Sequence, residues 1–286
     1  MQHPLTPTVW GRWRLDWGQR THVMGIINVT PDSFSGDGLL DKGAEQAVVR
    51  AVEQARAFVE RGATLIDVGG ESTRPGAERL PRELELGRVV PVIRQLAEQL
   101  PPEVVISVDT SKAEVARQAL EAGASLVNDT SGLLGDPALA GLVAERGVPV
   151  VLMANMRAWT KREIVSDVTR LLAKSIERAL TAGVAWEHLI LDPGIGFGTT
   201  PEENLTLLRR LGELRTLGRP LLLGTSRKST IGLVLGNLPP DQRLEGTAAT
   251  VALGIAQGVD IVRVHDVGPL MRVVKMSDAV VRGFFA

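Results

Sequence analysis

The hydrophobic positions of the chain follow two alternating rhythms. Eight short runs are nearly continuously apolar: His22–Thr30, Leu65–Ser72, Val104–Thr110, Leu126–Ser131, Pro149–Asn155, Leu189–Gly194, Pro220–Ser226 and Ile261–Val267. Strands buried on both faces have this character. Between the runs, apolar residues recur at helical spacing, as in Val48, Ala51, Ala55, Phe58 and Val59, and again in Ile164, Val168, Leu171, Leu172 and Ala179. Strand and helix alternate eight times. Alternation predicts a parallel sheet, and eight units favour closure into a (β/α)8 TIM barrel over an open doubly wound sheet. A chain of 286 residues suits one such barrel, so residues 1–286 are expected to form a single domain.

Three segments stand outside this rhythm. The stretch Val9–Arg20 carries three of the five tryptophans, Trp10, Trp13 and Trp17. Its apolar residues alternate around a turn placed near Asp16–Gln19, which predicts an N-terminal β-hairpin closing the bottom of the barrel. Pro91 falls inside the second helical pattern, where a proline costs about 3 kcal/mol or kinks the helix. Residues Lys228–Arg243, with Gly232, Gly236 and Pro239-Pro240, predict an extra short helix and loop after the seventh strand.

Charge and composition narrow the function classes. The net charge is -1, so no global field draws the protein to nucleic acid or lipid, and any bound anion must be held locally. With no cysteine, disulfides, thiolate metal sites and cysteine nucleophiles are excluded. The N-terminus lacks a basic region followed by an apolar one, and no stretch reaches the ~18 uninterrupted apolar residues of a membrane span. A soluble, cytoplasmic protein is expected.

In a barrel of this type the carboxyl ends of the strands build the active site. Polar residues gather at those ends: Asn28, Thr73-Arg74, Asp109, Asn128-Asp129, Asn155, Asp192, Lys228, and Arg263 with His265. Turn and cap roles explain Asp or Asn at such positions in most cases. They do not explain Lys228, Arg263 or His265, long or titratable groups that end apolar runs. Asp109 and Asp192 can each accept paired hydrogen bonds from a planar heterocycle with adjacent N–H groups, and Asn128 can both donate and accept. Arg74, Arg263 and His265 offer donors to a diphosphate. Asn28 adds a neutral oxygen ligand for a hard cation such as Mg²⁺, the diphosphate supplying most of the others.

Two glycine-rich strings need separate reading. Gly194-Ile-Gly-Phe-Gly198 lacks the spacing of a dinucleotide fingerprint and follows the sixth strand, so a substrate-facing loop with Phe197 as its apolar contact is preferred. The first loop, Thr30–Gly38, has the composition of a lid around Phe34.

The strings MGIINVTPDSFSGDG (24–38), IDVGGESTRPGA (66–77), SVDTSKAEVA (107–116), VNDTSG (127–132), LDPGIGFG (191–198), TSRKS (225–229) and RVHDV (263–267) together resemble the dihydropteroate synthases of folate biosynthesis. The likeness runs in order through essentially the whole chain. It implies a pterin pocket from Asp109, Asn128, Met153, Asp192, Lys228 and Arg263. It implies diphosphate contacts from Asn28, Arg74, Arg263 and His265, with Mg²⁺ as cofactor held by Asn28. It also implies a 4-aminobenzoate site, open to sulfonamide competition, from Thr73, Arg74, Pro75, Phe197, Ser226 and Lys228. Phe34 and Asp37 would close over substrate from loop Thr30–Leu40, with loop Thr73–Leu80 beside it, and Arg263, Lys228, Asp37 and Asp109 would carry the chemistry. The substrates would be the pterin diphosphate and 4-aminobenzoate, and the assembly a homodimer through late barrel helices, to which the terminal Phe284-Phe285 could contribute.

Two positions depart from the family pattern. After the fifth strand the chain reads Met153-Ala154-Asn155-Met156-Arg157-Ala158, where relatives carry a Met-His-Met-Gln-Gly type motif, and Thr199 stands where many carry Lys. Three rival readings follow from the same residues. A methyltetrahydrofolate-dependent methyltransferase shares the pterin carboxylates but has no use for Arg74, Arg263 and His265 together. A class I aldolase would use Lys228 as a Schiff-base amine. A pterin-binding paralogue without turnover would explain Ala154 and Thr199.

Overall fold

The computed structural model describes residues 5–29, 44–71 and 80–283. Strands β1 (Thr8–Trp10) and β2 (Trp13–Leu15) form an antiparallel hairpin. The eight barrel strands are β3 (His22–Asn28), β4 (Leu65–Gly69), β5 (Val105–Asp109), β6 (Leu126–Asp129), β7 (Val150–Met153), β8 (Leu189–Asp192), β9 (Leu222–Leu223) and β10 (Ile261–Val264). They pair in parallel in the order β8-β7-β6-β5-β4-β3-β10-β9. A parallel bridge between Leu191 and Leu221 joins β8 to the approach of β9 and closes the ring. Outside lie α1 (Ala44–Glu60), α2 (Arg82–Gln99), α3 (Ala113–Glu121), α4 (Ala138–Arg146), α5 (Ile164–Thr181), α6 (Pro201–Arg209), α8 (Leu244–Ala256) and α9 (Val267–Arg282). The extra helix expected after the seventh strand is α7 (Ser229–Val234). Among the described residues no helix is long and apolar enough to cross a membrane.

The period of two along each strand sorts the barrel interior into levels. At the amino ends, Met24, Leu65, Val105, Leu126, Val151, Ile190, Leu222 and Ile261 form a single buried cluster with Trp10, Leu15 and Trp17 of the hairpin segment. Two residues further along seven of the strands stand Ile26, Asp67, Ser107, Asn128, Met153, Asp192 and Arg263, where polar groups predominate. The alternate residues point outward to the helices, whose buried stripes include Ala51, Ala55 and Phe58 of α1 and Val168, Leu171 and Leu172 of α5. The barrel is therefore apolar at one mouth and polar at the other.

The hairpin does close the apolar mouth, but its turn is at Gly11-Arg12 and not near Asp16–Gln19. Trp10 pairs with Trp13, and Gly11 takes a φ of +50° at the first turn position. Glycine there is what a two-residue connection requires, and the expected placement mistook the exit from β2 for the turn. The tryptophan N–H groups find backbone partners across the barrel floor. Trp10 donates to the Ser125 carbonyl at 2.7 Å and Trp13 to the Val104 carbonyl at 3.3 Å. Thr8 donates to the Glu187 carbonyl at 2.6 Å and accepts from Trp17 at 3.2 Å.

Helix α2 runs through Pro91 without a break. The carbonyl that loses its partner belongs to Gly87, four residues earlier, and both residues lie on the exposed face, where water can satisfy it. Trp10→Ala would remove a buried indole from the floor and is expected to cost about 3–5 kcal/mol. Urea unfolding monitored by circular dichroism checks it; a midpoint equal to that of the parent chain would show that the hairpin does not stabilise the barrel.

Candidate active site

The polar mouth is organised around one carboxylate. Asp67 of β4 is fully buried and accepts three side-chain hydrogen bonds: from Ser107 Oγ at 2.5 Å, Asn128 Nδ2 at 2.9 Å and Arg263 Nε at 2.6 Å. Arg263 reaches from β10 across the mouth, and its Nη2 donates to Asp109 Oδ2 at 2.8 Å. Burial disfavours the charged guanidinium, but the two carboxylates more than offset it and raise its pKa. Sequence reasoning missed Asp67. The signal was present, because Asp67 lies two residues after Leu65 in an apolar run and therefore shares its inward face.

Asp109 differs from Asp67 in character. Burial, opposed by Arg263 and reinforced by the Asp67 charge, pushes its pKa up to about 7. Asp192, at the end of β8, is also raised by burial, with Lys228 opposing, and it accepts from the Gly194 amide at 2.7 Å. Lys228 is lowered to about 8 by burial, with Asp192 opposing. Its ammonium donates to the Ile195 carbonyl and stands 4.8 Å from the centre of the Phe197 ring. Asp109, Asp192, Lys228 and Arg263 thus act on one another electrostatically at the same mouth of the barrel. Met153 is buried at the end of β7 beside Gly194.

The rim is built from strand ends. Asn28 pairs in register with Gly69, which neighbours Asp109 on the next strand. Ser226 Oγ accepts from the His265 amide at 3.2 Å and lies 3.0 Å from its Nδ1. The loop 194–198 turns through three positive-φ glycines. At Gly194 a Cβ would meet the Ala154 carbonyl oxygen at 2.0 Å, so the close approach of the two loops requires glycine. Thr199 has a structural task here: its hydroxyl accepts from the Gly196 amide at 3.0 Å and donates to Asn204 at 2.6 Å.

Not every strand-end polar residue faces the cavity. Asp129 accepts from the Ser131 and Leu133 amides at 2.8 and 2.5 Å, a turn role. Asn155 donates to the Thr130 carbonyl at 3.0 Å and ties β7 to β6. Both belong with the local structural residues. Thr73, Arg74, Pro75, Phe34, Asp37 and Phe284-Phe285 lie outside the described residues. Glu71 and Leu80, which flank segment 72–79, are joined, the Leu80 amide donating to Glu71 Oε1 at 3.2 Å. Lys112 pairs with both Glu71 and the buried Glu85. No group of three or more acidic or histidine side chains able to hold a metal occurs among the described residues.

A barrel whose polar mouth offers two carboxylates of raised pKa, an amide and a clamped arginine is a site for a flat, hydrogen-bonding heterocycle. The profile described as "Pterin binding enzyme" matches residues 24–265. A Bacillus subtilis relative named dihydropteroate synthase is 48% identical, with 93% of this chain and 90% of that protein covered. The crystal structure of a Clostridium difficile dihydropteroate synthase in the presence of pteroic acid has a TM-score of 0.87 at 46% identity, covering 94% of this chain and 99% of that one. A Xanthomonas albilineans dihydropteroate synthase with 4-aminobenzoic acid gives a TM-score of 0.86 at 42% identity, covering 93% and 95%. The chain belongs to the pterin binding enzyme family.

Asp109 also makes stability pH-dependent. An unfolded aspartate titrates near ~4, so between about 4 and about 7 the folded state binds more protons at this site than the unfolded state. Its contribution is present below that window and is lost as pH rises through about 7. Unfolding free energies of the ligand-free protein between pH 5 and 8 should therefore fall more steeply than those of Asp109→Asn. Parallel curves for the two proteins would contradict the assignment.

Proposed function

We propose that the chain is a transferase of folate biosynthesis that joins 6-hydroxymethyl-7,8-dihydropterin diphosphate to 4-aminobenzoate, giving 7,8-dihydropteroate and diphosphate. The observation that carries this reading is the clamped Arg263, held by Asp67 and Asp109 and facing Asp192 and Lys228 across the polar mouth. The pterin ring would lie against Arg263, its N–H edge on Asp109 and Asp192, with Asn128 and Lys228 completing the rim and Met153 beneath. Ionised Asp109 accepts such donors, and a ligand that supplies them lowers its pKa. The diphosphate would be met by Asn28, His265 and Arg74, and the aminobenzoate by Phe197, Ser226, Lys228, Thr73, Arg74 and Pro75. Phe34 and Asp37 would cover both.

In the reaction the methylene–oxygen bond breaks, diphosphate leaves with the electron pair, and the aryl amine nitrogen forms the new carbon–nitrogen bond and loses a proton. The demand on the protein is positive charge at the leaving group and fixed hydrogen bonds at the ring, both preformed. Asn28 would offer one neutral oxygen to a Mg²⁺ ion, and the bound diphosphate would supply most of the remaining ligands. Such an ion would neutralise the leaving group's charge.

The rival readings have less support. Lys228 has the lowered pKa that a Schiff-base amine needs, but its Nζ donates to a backbone carbonyl and lies against an aromatic face, which engages it as an ammonium. Ala154 and Thr199 lie in the packed loops and replace none of the residues assigned to the pterin or the diphosphate.

Radiolabelled 4-aminobenzoate with the pterin diphosphate, with and without Mg²⁺, is expected to yield labelled dihydropteroate in the metal-containing arm; binding without product would favour the paralogue reading. Arg263→Ala is expected to lower turnover more than tenfold, since loss of one charged contact made in the transition state costs on this scale. Kinetics like those of the parent chain would refute its role.

A homodimer is proposed through the last helices. Exposed apolar side chains gather there: Leu233 and Val234 on α7, Leu253 on α8, and Met276 and Val280 on α9. Exposed apolar side chains on late helices suit a two-fold dimer interface. Met276→Glu with Val280→Glu is expected to yield a monomer by sedimentation velocity. An unchanged sedimentation coefficient would place the interface elsewhere.

A further inference from the structure

Barrel strand β9 has two residues, and its ladder with β10 ends at Leu223↔Val262. The residues that matter on this edge, Ser226 and Lys228, come three and five positions later, beyond any strand pairing. Something other than the sheet must fix them. Between them stands Arg227, one of three non-glycine residues with positive φ among the described residues, at +59°. A long side chain holds that conformation only where the surroundings enforce it.

Arg227 is held through both its backbone polar groups and through its guanidinium. Its amide donates to Thr247 Oγ1 at 3.2 Å, and its carbonyl accepts from Arg243 Nη1 at 2.8 Å. Its guanidinium makes a forked ion pair with Asp266, Nε to Oδ2 at 3.0 Å and Nη2 to Oδ1 at 2.7 Å. Both side chains are mostly buried, 17% and 23% exposed. Asp266 directly follows His265 on β10's exit, three residues after Arg263. The pair therefore joins the segment carrying Ser226 and Lys228 to the segment carrying Arg263 and His265, two sides of the polar mouth linked by a ladder of only two pairs.

We infer that Arg227 and Asp266 are a positioning pair for catalysis. They set the separation of Lys228 and Ser226 from Arg263 and His265, and they do so without touching substrate through the paired atoms. A forked Arg–carboxylate contact suits this task because it fixes orientation as well as distance. This rests on the proposed reaction. Only there do Lys228 and Ser226 act on the aminobenzoate while Arg263 and His265 act on the pterin diphosphate.

The test uses the full-length enzyme with Asp266→Asn, Asp266→Glu, Arg227→Gly and Arg227→Lys. Glycine accepts the positive φ, so Arg227→Gly removes the ion pair while leaving the backbone unstrained. Steady-state kinetics should show kcat/KM for 4-aminobenzoate lowered about tenfold or more in Asp266→Asn and Arg227→Gly, the scale of a misplacement of about 1 Å. Unfolding midpoints should stay near that of the parent chain. Asp266→Glu should recover part of the loss, and Arg227→Lys less, because one ammonium cannot make both contacts. Millimolar guanidinium, against a sodium chloride control of equal ionic strength, should restore activity to Arg227→Gly but not to Asp266→Asn. Parent-like kinetics in both disrupting variants would overturn the inference, as would losses that follow the fall in folded protein and resist guanidinium. If the parent chain itself makes no dihydropteroate, the proposed reaction fails first. The pair is then judged on equilibrium binding of the pterin diphosphate, where equal affinity in the parent and Asp266→Asn overturns it.

Discussion

The polar mouth of this barrel depends on the Asp67 carboxylate. A charge with no exposure is tolerable only when its lone pairs are met, and Ser107, Asn128 and Arg263 meet them from three different strands. The consequence is mutual. Arg263 is a long cation near the axis of the barrel, and without Asp67 and Asp109 its burial would be prohibitive. Held between them, it cannot swing with solvent. Asp109 shares the same arginine but sits nearer the opening, and its raised pKa leaves it ready to respond to a ligand's N–H donors.

The site is thus continuous with the core and is not a decoration on loops. One pleat carries Leu65, Asp67 and Gly69, another Val105, Ser107 and Asp109, so the same period that packs the floor delivers the polar groups above it. The hydrophobic floor and its tryptophan cover let the upper level be polar, because the fold's stability is supplied below it. Loops then add what the strands cannot: the Phe197 ring beneath the Lys228 ammonium, and the Ser226–His265 contact at the lip.

Much of this was legible in the sequence, and the failures are instructive. The apolar runs marked all eight strands because burial on both faces leaves little room for polar residues. Lys228, Arg263 and His265 were legible because no turn or cap chemistry accounts for them. Asp67 escapes a reading of strand ends, because it lies mid-strand and reveals itself only when the inward face is traced. Asp129 and Asn155 were grouped with the site because a turn-forming Asp and a ligand-facing one look alike until the backbone around them is known. The hairpin turn was misplaced because two glycines, Gly11 and Gly18, both have positive φ and only the register separates a turn from an exit. Arg227 lay beyond sequence reasoning altogether, since its importance comes from a partner 39 residues away.

The tryptophan cover has a kinetic side. Residues 8–17 leave the ribosome before the groups they bind, the backbone carbonyls of Val104, Ser125 and Glu187, far down the chain. Loop closure over such spans is slow relative to local helix formation. The hairpin must therefore wait, with three indoles uncovered, until β8 has been made and the floor exists to receive it. A segment made before its partners docks after them, and in that interval the nascent chain depends on whatever shields exposed aromatic surface during synthesis.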